Sequence, residues 1–384
     1  MNDNPNNIKA EAWDDASSTL AAYAAKRHIP LRGTFELTAR CNFNCKMCYV
    51  HMSQAEISAC ERMELTSRQW LALAEEAVAN GTLNLLLTGG EPLIRDDFEE
   101  IYTEIAKMGF IISLNTNASL MNKKYFDLFS RYPPTSVDVT LYGADAETYF
   151  NISGNAGNFA KTIKGLEYLA EIPTSLEVRS TFIKDNKNQL DRLREIANRY
   201  TNKFAINYLV FKQIPGVMSS AEQCRLTPKE CLDIDISNTR YYRDHGDDGE
   251  EAINRSFDSE TPESDVPEKD YGFELPPKAL SCMASKSMYW IRWDGKMLPC
   301  GTFVSPFTLP LEEGFKNAWD RLPDLLIHLR RPQKCIGCEL FDGCPNCPAY
   351  FYVETGSYDK VSGYLCDLAK ERRERYTAEA SSDT

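Results

Sequence analysis

Short apolar runs alternate with amphipathic segments through the first half of the chain. The apolar runs predict strands at residues 33–40, 83–87, 110–115, 136–142, 175–183 and 204–212. Helical periodicity predicts crossovers near residues 96–108, 122–130, 159–170 and 189–200. A further helix is predicted to begin after Thr66, because Thr66 and Gln69 have the spacing of a capping box.

The alternation of strands and helices predicts a parallel sheet, either open and doubly wound or curved into a barrel. Six strand–helix units are fewer than the eight of a complete barrel, and residues 33–215 are fewer than the ~250 residues typical of that fold. We therefore expect an α/β fold class, with a partial (β/α)6 TIM-like barrel over residues 33–215. In either architecture the chemistry lies at the carboxyl ends of the strands.

The flanking regions are predicted to form three smaller units. These are an N-terminal helical segment, a helix followed by an acidic linker, and a cysteine-rich α+β domain. They cover residues 1–32, 216–275 and 276–384, respectively. Thr227 caps the helix of the second unit, and residues 245–270 are acidic and poor in apolar side chains. In the third unit, Asp294-Gly295 predicts the turn of a hairpin between residues 288–293 and 296–299.

Composition narrows the class of protein. The net charge of −13 over 384 residues argues against a nucleic-acid partner, whose phosphates require clustered Lys and Arg. The sequence contains no apolar run long enough to span a membrane, and its first thirty residues resemble neither a signal nor a transit peptide. We therefore expect a cytoplasmic protein. In that reducing compartment, an odd count of 13 cysteines favours metal binding over disulfides.

Three cysteines follow the first predicted strand directly. Cys41, Cys45 and Cys48 have the spacing C-x3-C-x2-C. Three thiolates hold a soft metal centre but leave one ligand position open, and an Fe–S cluster bound in this way has an iron free for a substrate. The alternative is that these three cysteines are buried or incidental thiols. In a cytosolic protein, free cysteine clusters are seldom of that kind.

This motif, placed after a first strand, resembles that of the radical SAM superfamily. The resemblance implies that Cys41, Cys45 and Cys48 hold a catalytic 4Fe-4S cluster, with S-adenosylmethionine on its fourth iron. It also implies that Gly89, Gly90 and Glu91 contact the amino group of the cofactor. Further cofactor contacts are implied for Met47, Asn115, Asn117, Thr140 and Arg179. Family members often have an aromatic residue at the position of Met47, and a thioether also packs on an aromatic face.

Each of these cofactor residues has a simpler interpretation. Gly-Gly-Glu-Pro alone is more often a turn, and Asn or Thr at a strand end is about as often a cap. Arg179 has donors in a fork that suits a carboxylate, but an ordinary surface arginine is at least as common. Tyr49, next to the third cysteine, suits a core or loop position equally well.

A second set of cysteines lies in the C-terminal part of the chain. Its members are Cys282, Cys300, Cys335, Cys338, Cys344, Cys347 and Cys366. Their order resembles that of the SPASM domain, the extension of radical SAM enzymes that mature peptides. The resemblance implies two auxiliary 4Fe-4S clusters, so that three clusters are expected in all. The outer cluster would use Cys335, Cys338, Cys344 and Cys366, and the inner cluster Cys282, Cys300 and Cys347.

The C-terminal set departs from the family pattern in two respects. The last gap of the cysteine loop is two residues, where three is commoner, and no fourth cysteine closely follows Cys282. The inner cluster then keeps an open iron, or takes Cys224, Cys231 or a non-cysteine ligand. Cys60 is also unassigned, and each of these three is more simply an inert thiol. The alternative for the whole set is structural zinc, because C-x2-C pairs also suit a tetrahedral ion.

The family resemblance implies radical chemistry on a ribosomally synthesised precursor peptide, with an oxidative intramolecular thioether or C–C link as the product. One alternative is a radical dehydrogenase acting on a protein side chain or a small-molecule alcohol. Sulfatase-modifying members place an Asp after the cysteine matching Cys300, whereas this chain has Gly301. Another alternative is a non-catalytic Fe–S electron-transfer protein. Expected partners are a separate leader-recognition protein, because the residues before the first strand are too few for a leader-binding domain, and a reductase or flavodoxin as electron donor.

Overall fold

The described part of the chain is organised around one eight-stranded sheet. The structure is a computed structural model that describes residues 10–211, 221–244, 280, 282–341 and 343–382. The strands are β1 Arg32–Glu36, β2 Asn84–Thr88, β3 Ile111–Thr116, β4 Ser136–Thr140, β5 Ser175–Thr181, β6 Phe204–Asn207, β7 Met288–Ile291 and β8 Met297–Leu298.

Helices cover the outside of this sheet. They are α1 Ala10–Lys26, α2 Gln54–Ser58, α3 Ser67–Ala79, α4 Phe98–Lys107, α5 Lys123–Arg131, α6 Ala146–Ser153, α7 Gly157–Ala170, α8 Leu190–Ala197, α9 Ala221–Cys224, α10 Pro228–Asp244, α11 Pro310–Glu313, α12 Phe315–Leu326, α13 Pro348–Thr355 and α14 Gly363–Ser382. The predicted capping box of α3 is confirmed, because the Thr66 side chain accepts from Gln69 N and the Gln69 side chain from Thr66 N. In α4, Phe98, Ile101, Tyr102 and Ile105 are all fully buried, which is the spacing of one helix face.

The strand order is β6-β5-β4-β3-β2-β1-β7-β8. Strands β1 to β7 pair in parallel with their neighbours, and β8 alone is antiparallel. The helices between the first six strands are crossovers, as parallel pairing requires. The predicted α/β class with its parallel strand–helix units is confirmed. The carboxyl ends of the parallel strands therefore lie at one edge of the sheet.

The sheet continues beyond the six predicted strands. The predicted hairpin around Asp294-Gly295 is present as β7 and β8, but β7 also pairs in parallel with β1, with Phe35 opposite Ile291. The Tyr289 ring lies directly over Gly33, where a Cβ would clash with it. The cysteine-rich part of the chain thus adds strands to the barrel sheet, a long-range pairing that the sequence pattern did not indicate.

The first strand is shorter than predicted. It ends at Glu36 instead of Arg40, because from Thr38 onward its hydrogen-bond partners lie in the loop after β2. Leu37 N donates to Thr88 O (2.8 Å), while the Thr38 and Arg40 carbonyls accept from Gly90 N (2.7 Å) and Glu91 N (2.9 Å). Strand β6 likewise ends at Asn207, before the predicted end at residue 212. The predicted apolar runs therefore continue past the strands into the loops of the carboxyl edge.

Some predictions concern parts of the chain that the structure does not describe. The acidic stretch at 245–270 lies outside the described residues, so the linker and its boundaries stay predictions. The predicted helix after Thr227 is present as α10, with the Thr227 and Glu230 side chains each accepting from the other's backbone N–H. Within the described ranges, no helix combines the length and the apolar character needed to cross a membrane.

Gly165 offers a test of how closely α7 packs beneath the strand ends. A Cβ at this position would clash with the carbonyl of Ala118, in the loop after β3. We expect Gly165→Ala to destabilise the protein by roughly 1–3 kcal/mol, as overpacking does, and to lower its unfolding midpoint in scanning fluorimetry. Gly363→Ala is the control, because that helical position has nothing within 4 Å of the new methyl group. Equal midpoints for the two variants would contradict this packing.

Candidate functional site

The cysteine loop follows β1 at the carboxyl edge of the sheet. Its backbone is fixed by the end of α6, since Asn44 N donates to Ser153 O and Lys46 N to Ile152 O, both at 3.1 Å. Cys45 is buried, and Cys41 and Cys48 are partly buried. The three thiols are close enough to interact electrostatically. The loop thus presents a group of three thiols on a fixed backbone.

Nearby N–H groups point at two of these sulfur atoms. Phe43 N donates to Cys41 Sγ (3.3 Å) and His51 N to Cys48 Sγ (3.2 Å), and Asn117 Nδ2 lies 3.7 Å from Cys41 Sγ. Such donors stabilise thiolates. Burial, however, raises the pKa of the Cys41 thiol to about 12 and also raises the pKa values of Cys45 and Cys48. At neutral pH these groups therefore ionise only when a cation compensates the charge.

The Gly89-Gly90-Glu91 segment lies against the loop that leads to the cysteines. A Cβ on Gly89 would stand 2.6 Å from Thr38 O, and one on Gly90 would clash with Arg40 O. Both positions therefore require glycine, because the two backbones approach each other too closely for a side chain. The segment that follows β2 is in this way held beside the thiols that follow β1.

The Glu91 carboxylate is fully buried and binds three donors within the protein. It accepts from Leu93 N (3.0 Å), Thr116 Oγ1 (2.8 Å) and Asn117 N (2.7 Å). Burial raises its pKa to about 7, although these three hydrogen bonds oppose the shift. Glu91 thus ties the end of β3 to the end of β2. This leaves backbone carbonyls as the more accessible acceptors for an ammonium group.

The remaining predicted cofactor residues occupy different environments. Asn115 lies at the end of β3, and its buried Oδ1 has no hydrogen-bond partner in the described part of the chain. Asn117 Nδ2 donates to Asn42 Oδ1 at 3.0 Å. Met47 is buried in the main core. Thr140 and Arg179 are register partners on β4 and β5.

Arg179 already has two carboxylate partners. Its Nη2 lies 3.0 Å from Asp138 Oδ2 and its Nε 2.6 Å from Glu177 Oε1, with about half of the side chain exposed. Burial raises the pKa of Asp138 to about 6, and the Arg179 charge opposes that shift. The guanidinium is therefore neutralised within the sheet, which weakens the prediction that it binds a cofactor carboxylate.

The structure brings the seven C-terminal cysteines together in two groups. Cys282, Cys300 and Cys347 interact electrostatically with one another and form the inner group. Cys335, Cys338, Cys344 and Cys366 do the same and form the outer group. Burial raises the pKa values of Cys344 and Cys347 to about 12. These thiols, too, are neutral at physiological pH unless a cation is bound.

The three unassigned cysteines have local partners of their own. Cys60 Sγ donates to Glu56 O (3.3 Å), Cys224 Sγ to Ala221 O (3.4 Å), and Cys231 Sγ lies 3.5 Å from the Tyr364 hydroxyl. Burial raises the pKa of the Cys224 thiol, and the charge of Asp185 adds to this shift. The structure therefore does not bring Cys224 or Cys231 to the inner group, as one of the alternatives required.

Two tyrosines connect the cysteine loop with the inner group. Tyr49 interacts with both Cys48 and Cys300, and Tyr350 interacts with Cys347, Cys300 and Tyr49. The sequence alone gave Tyr49 no definite role and did not single out Tyr350. Their position depends on the pairing of β7 with β1, which brings the Cys300 loop to the same edge as Cys48.

Glu36, the last residue of β1, is a site residue that the sequence analysis missed. It is 4% exposed, and its Oε2 accepts from Trp290 Nε1 at 3.0 Å. Burial raises its pKa to about 7, and the charge of Arg292 opposes this shift. The sequence offered one signal for Glu36, which is its position as a charged residue in the middle of a predicted strand. Such residues mark functional positions in buried sheets.

The cysteine groups can be compared with the two kinds of metal centre expected to bind to them, zinc and an iron–sulfur cluster. In the described residues, no three or more His, Cys, Asp or Glu side chains are arranged to hold a metal ion. A zinc site needs its ligands to converge on one point at ~2.3 Å, whereas an iron–sulfur cluster takes one thiolate at each iron. Grouped, buried thiols, the close glycine backbone and the unpartnered Asn115 Oδ1 fit a cluster with a polar organic cofactor beside it.

Similar proteins support this assignment. Residues 35–197 match the Radical SAM superfamily. An AdoMet-dependent heme synthase of Methanosarcina barkeri is 28% identical over 360 residues, which are 88% of this chain and 97% of that protein. The antilisterial bacteriocin subtilosin biosynthesis protein AlbA of Bacillus subtilis is 26% identical over 183 residues, and this chain spans only 40% of its length.

The fold is also found among solved structures. SuiB of Streptococcus suis, in its complex with the precursor peptide SuiA, superposes with a TM-score of 0.66. The match covers 95% of this chain and 83% of SuiB at 16% identity, which establishes a shared fold alone. The chain is thus similar to the radical SAM superfamily over residues 35–197, and its described part shares the fold of SuiB.

Proposed function

We propose that this protein is a radical SAM enzyme that modifies a ribosomally synthesised peptide by an oxidative intramolecular link, a thioether or a C–C bond. The observation that carries this proposal is the arrangement at the carboxyl edge of the sheet. There the thiols of residues 41–48 interact with one another, the glycine backbone of residues 89–90 lies against the segment that leads to them, and Tyr49 interacts with both Cys48 and Cys300 of the inner group.

The residues of the chain have separate roles in this proposal. Cys41, Cys45 and Cys48 hold the first 4Fe-4S cluster, and the inner and outer groups each hold an auxiliary cluster. The carbonyls of residues 89–91 accept from the cofactor ammonium, while Asn115 and Thr140 bind its polar groups. When bound, the cluster and S-adenosylmethionine supply a carbon radical that abstracts one hydrogen atom. The sheet fixes the cofactor and excludes water from it.

The partners belong to the proposal as well. A peptide substrate fits the likeness to SuiB, which has been solved with its precursor peptide. A separate leader-recognition protein would bring the precursor to the enzyme, and a reductase or flavodoxin would supply electrons. The proposed link loses two hydrogens, one as the abstracted atom and one as a proton whose electron would pass to an auxiliary cluster, so that the proposed enzyme would be an oxidoreductase.

A second candidate function is the oxidation of a tetrapyrrole. The heme synthase relative matches along 97% of its own length, whereas AlbA matches along 40% of its length. The shared length favours this candidate, whereas the order of the seven C-terminal cysteines favours the peptide. Both substrates require the same first cluster and the same cofactor, so that only the substrate assay separates them.

The first prediction concerns cofactor cleavage. Anaerobically reconstituted protein with dithionite and S-adenosylmethionine should form 5′-deoxyadenosine, measured by liquid chromatography with mass detection. Cys45→Ala should abolish this product, because a cluster bound by two thiolates does not retain its open iron. Cys60→Ala is the matched control and should keep full activity, since its thiol bonds to Glu56 O instead. Equal product from both variants would exclude the proposed role of the loop.

The second prediction concerns the auxiliary groups. Reconstituted wild-type protein should hold about twelve irons, four for each cluster. Cys344→Ala should lose about four of them, because this residue interacts with the other outer thiols. Cys231→Ala should lose none. Iron and zinc are measured together by plasma mass spectrometry, and zinc as the main metal of wild-type protein would contradict the cluster assignment.

The third prediction separates the two candidate substrates. The enzyme is incubated with peptides encoded beside its gene and, in a parallel reaction, with a tetrapyrrole bearing propionate side chains. We expect a peptide product that is 2 Da lighter, with fragmentation that locates one internal link. A mass change in the tetrapyrrole alone would establish the second function in place of the first.

A further inference from the structure

A cavity of about 280 Å³ opens between the cysteine loop and the β7–β8 hairpin. Its wall includes Tyr49, Glu36, Arg292, Lys296 and Gly301. Tyr49 directly follows Cys48, and Gly301 directly follows Cys300. The cavity wall is therefore next in sequence to one cysteine of the first group and to one of the inner group.

The sheet register places a carboxylate and a guanidinium side by side in this wall. Phe35 pairs with Ile291 in parallel, so that the next residues, Glu36 and Arg292, project from the same face of the sheet. The Trp290 indole lies on this face as well and donates to Glu36. A Cβ at Gly301 would stand 2.8 Å from Trp290 Cη2. Glycine at position 301 thus leaves room for the Trp290 indole beside the cavity.

Arg292 is poorly neutralised for a charge that is mostly buried. The side chain is 20% exposed, and its ion pair with Asp294 is long, with Nε 3.8 Å from Oδ1. Lys296 lies closer to the same carboxylate, with Nζ 2.8 Å from Asp294 Oδ2. Two cations therefore share one acidic side chain. Burial raises the pKa of Glu36 to about 7, so that its carboxyl is only partly ionised at neutral pH.

We propose that Arg292, supported by Lys296, is the anchor for a carboxylate of the substrate, and that it holds the reacting segment between the two cysteine groups. A guanidinium binds a carboxylate through two parallel hydrogen bonds, which fix orientation as well as position. Arg292 lines the cavity, and its guanidinium makes no hydrogen bond to another described residue. The substrate class is accordingly an acidic one: a segment with a Glu or Asp side chain, or a free C-terminal carboxylate.

This inference rests on the proposed function for its biological meaning, but its test does not use the reaction. The probes are three small amides on purified, cluster-loaded protein: N-acetyl-glutamic acid α-amide, N-acetyl-glutamine α-amide and N-acetyl-glutamine with a free C-terminus. Their binding is measured by saturation-transfer NMR at pH 8. The first probe carries a side-chain carboxylate and the third a C-terminal one, so that the two sources are distinguished, and the second carries neither.

We expect one or both acidic probes to bind at least tenfold more tightly than the neutral probe, which is the effect of one charge-assisted pair of hydrogen bonds. Arg292→Gln should remove this preference. Arg62→Gln is the matched control in the same cavity, because the Arg62 guanidinium is already bound to Asp294 O and Glu312. Its loss should change the preference by less than threefold.

A second variant tests the position of Glu36 without removing the anchor. Glu36→Gln keeps an acceptor for Trp290 and removes a carboxylate beside Arg292, so that acidic probes should bind about threefold more tightly at pH 8. Equal binding of all three probes, or an unchanged preference in a folded Arg292→Gln protein, would overturn the anchor. If the wild-type protein binds the acidic probes but forms no 5′-deoxyadenosine, the proposed function is overturned and the anchor is not.

Discussion

The structure depends on β1 having a partner on each side. On one side β1 pairs with β2 and brings the Gly89-Gly90 backbone against the residues that lead into Cys41. On the other side it pairs with β7, which belongs to the cysteine-rich part of the chain. All three strands run in the same direction, so that their carboxyl ends lie at one edge. Tyr49, which follows Cys48, and Gly301, which follows Cys300, thereby line one cavity.

Burial of the thiols connects this arrangement with stability. Cys41, Cys344 and Cys347 have pKa values raised to about 12 by burial, so the metal-free protein contains neutral thiols where a cluster would hold thiolates. The hydrophobic cluster of the cysteine-rich part is small, with Leu298 and Phe303 among its members. The auxiliary clusters that we propose would supply folding energy there as well as chemistry.

From the sequence, the helices and strands were predicted more accurately than the contacts between them. Apolar periodicity located the first six strands, and the Thr66 capping box located α3, because both are local patterns. The cysteine spacing indicated the site because metal ligands must follow a fixed geometry. The β1–β7 pairing could not be predicted, because residues 32 and 288 are far apart in the sequence and no local pattern links them.

The same distinction applies to single residues. Glu91 was predicted to face the cofactor, yet its carboxylate is occupied by three protein donors that lie across two strand ends. Arg179 was predicted to bind a carboxylate of the cofactor, and it binds Asp138 and Glu177. Glu36 and Arg292 were overlooked, because their proximity results from a register between distant strands.

We propose that the residue 41–48 loop holds a cluster with one iron open to S-adenosylmethionine. Mössbauer spectroscopy of ⁵⁷Fe-reconstituted protein tests this directly, because it reports each iron site separately. We expect that adding S-adenosylmethionine shifts the signal of a single iron, and that this shift disappears in Cys41→Ala protein. Spectra that do not change when the cofactor is added would contradict it.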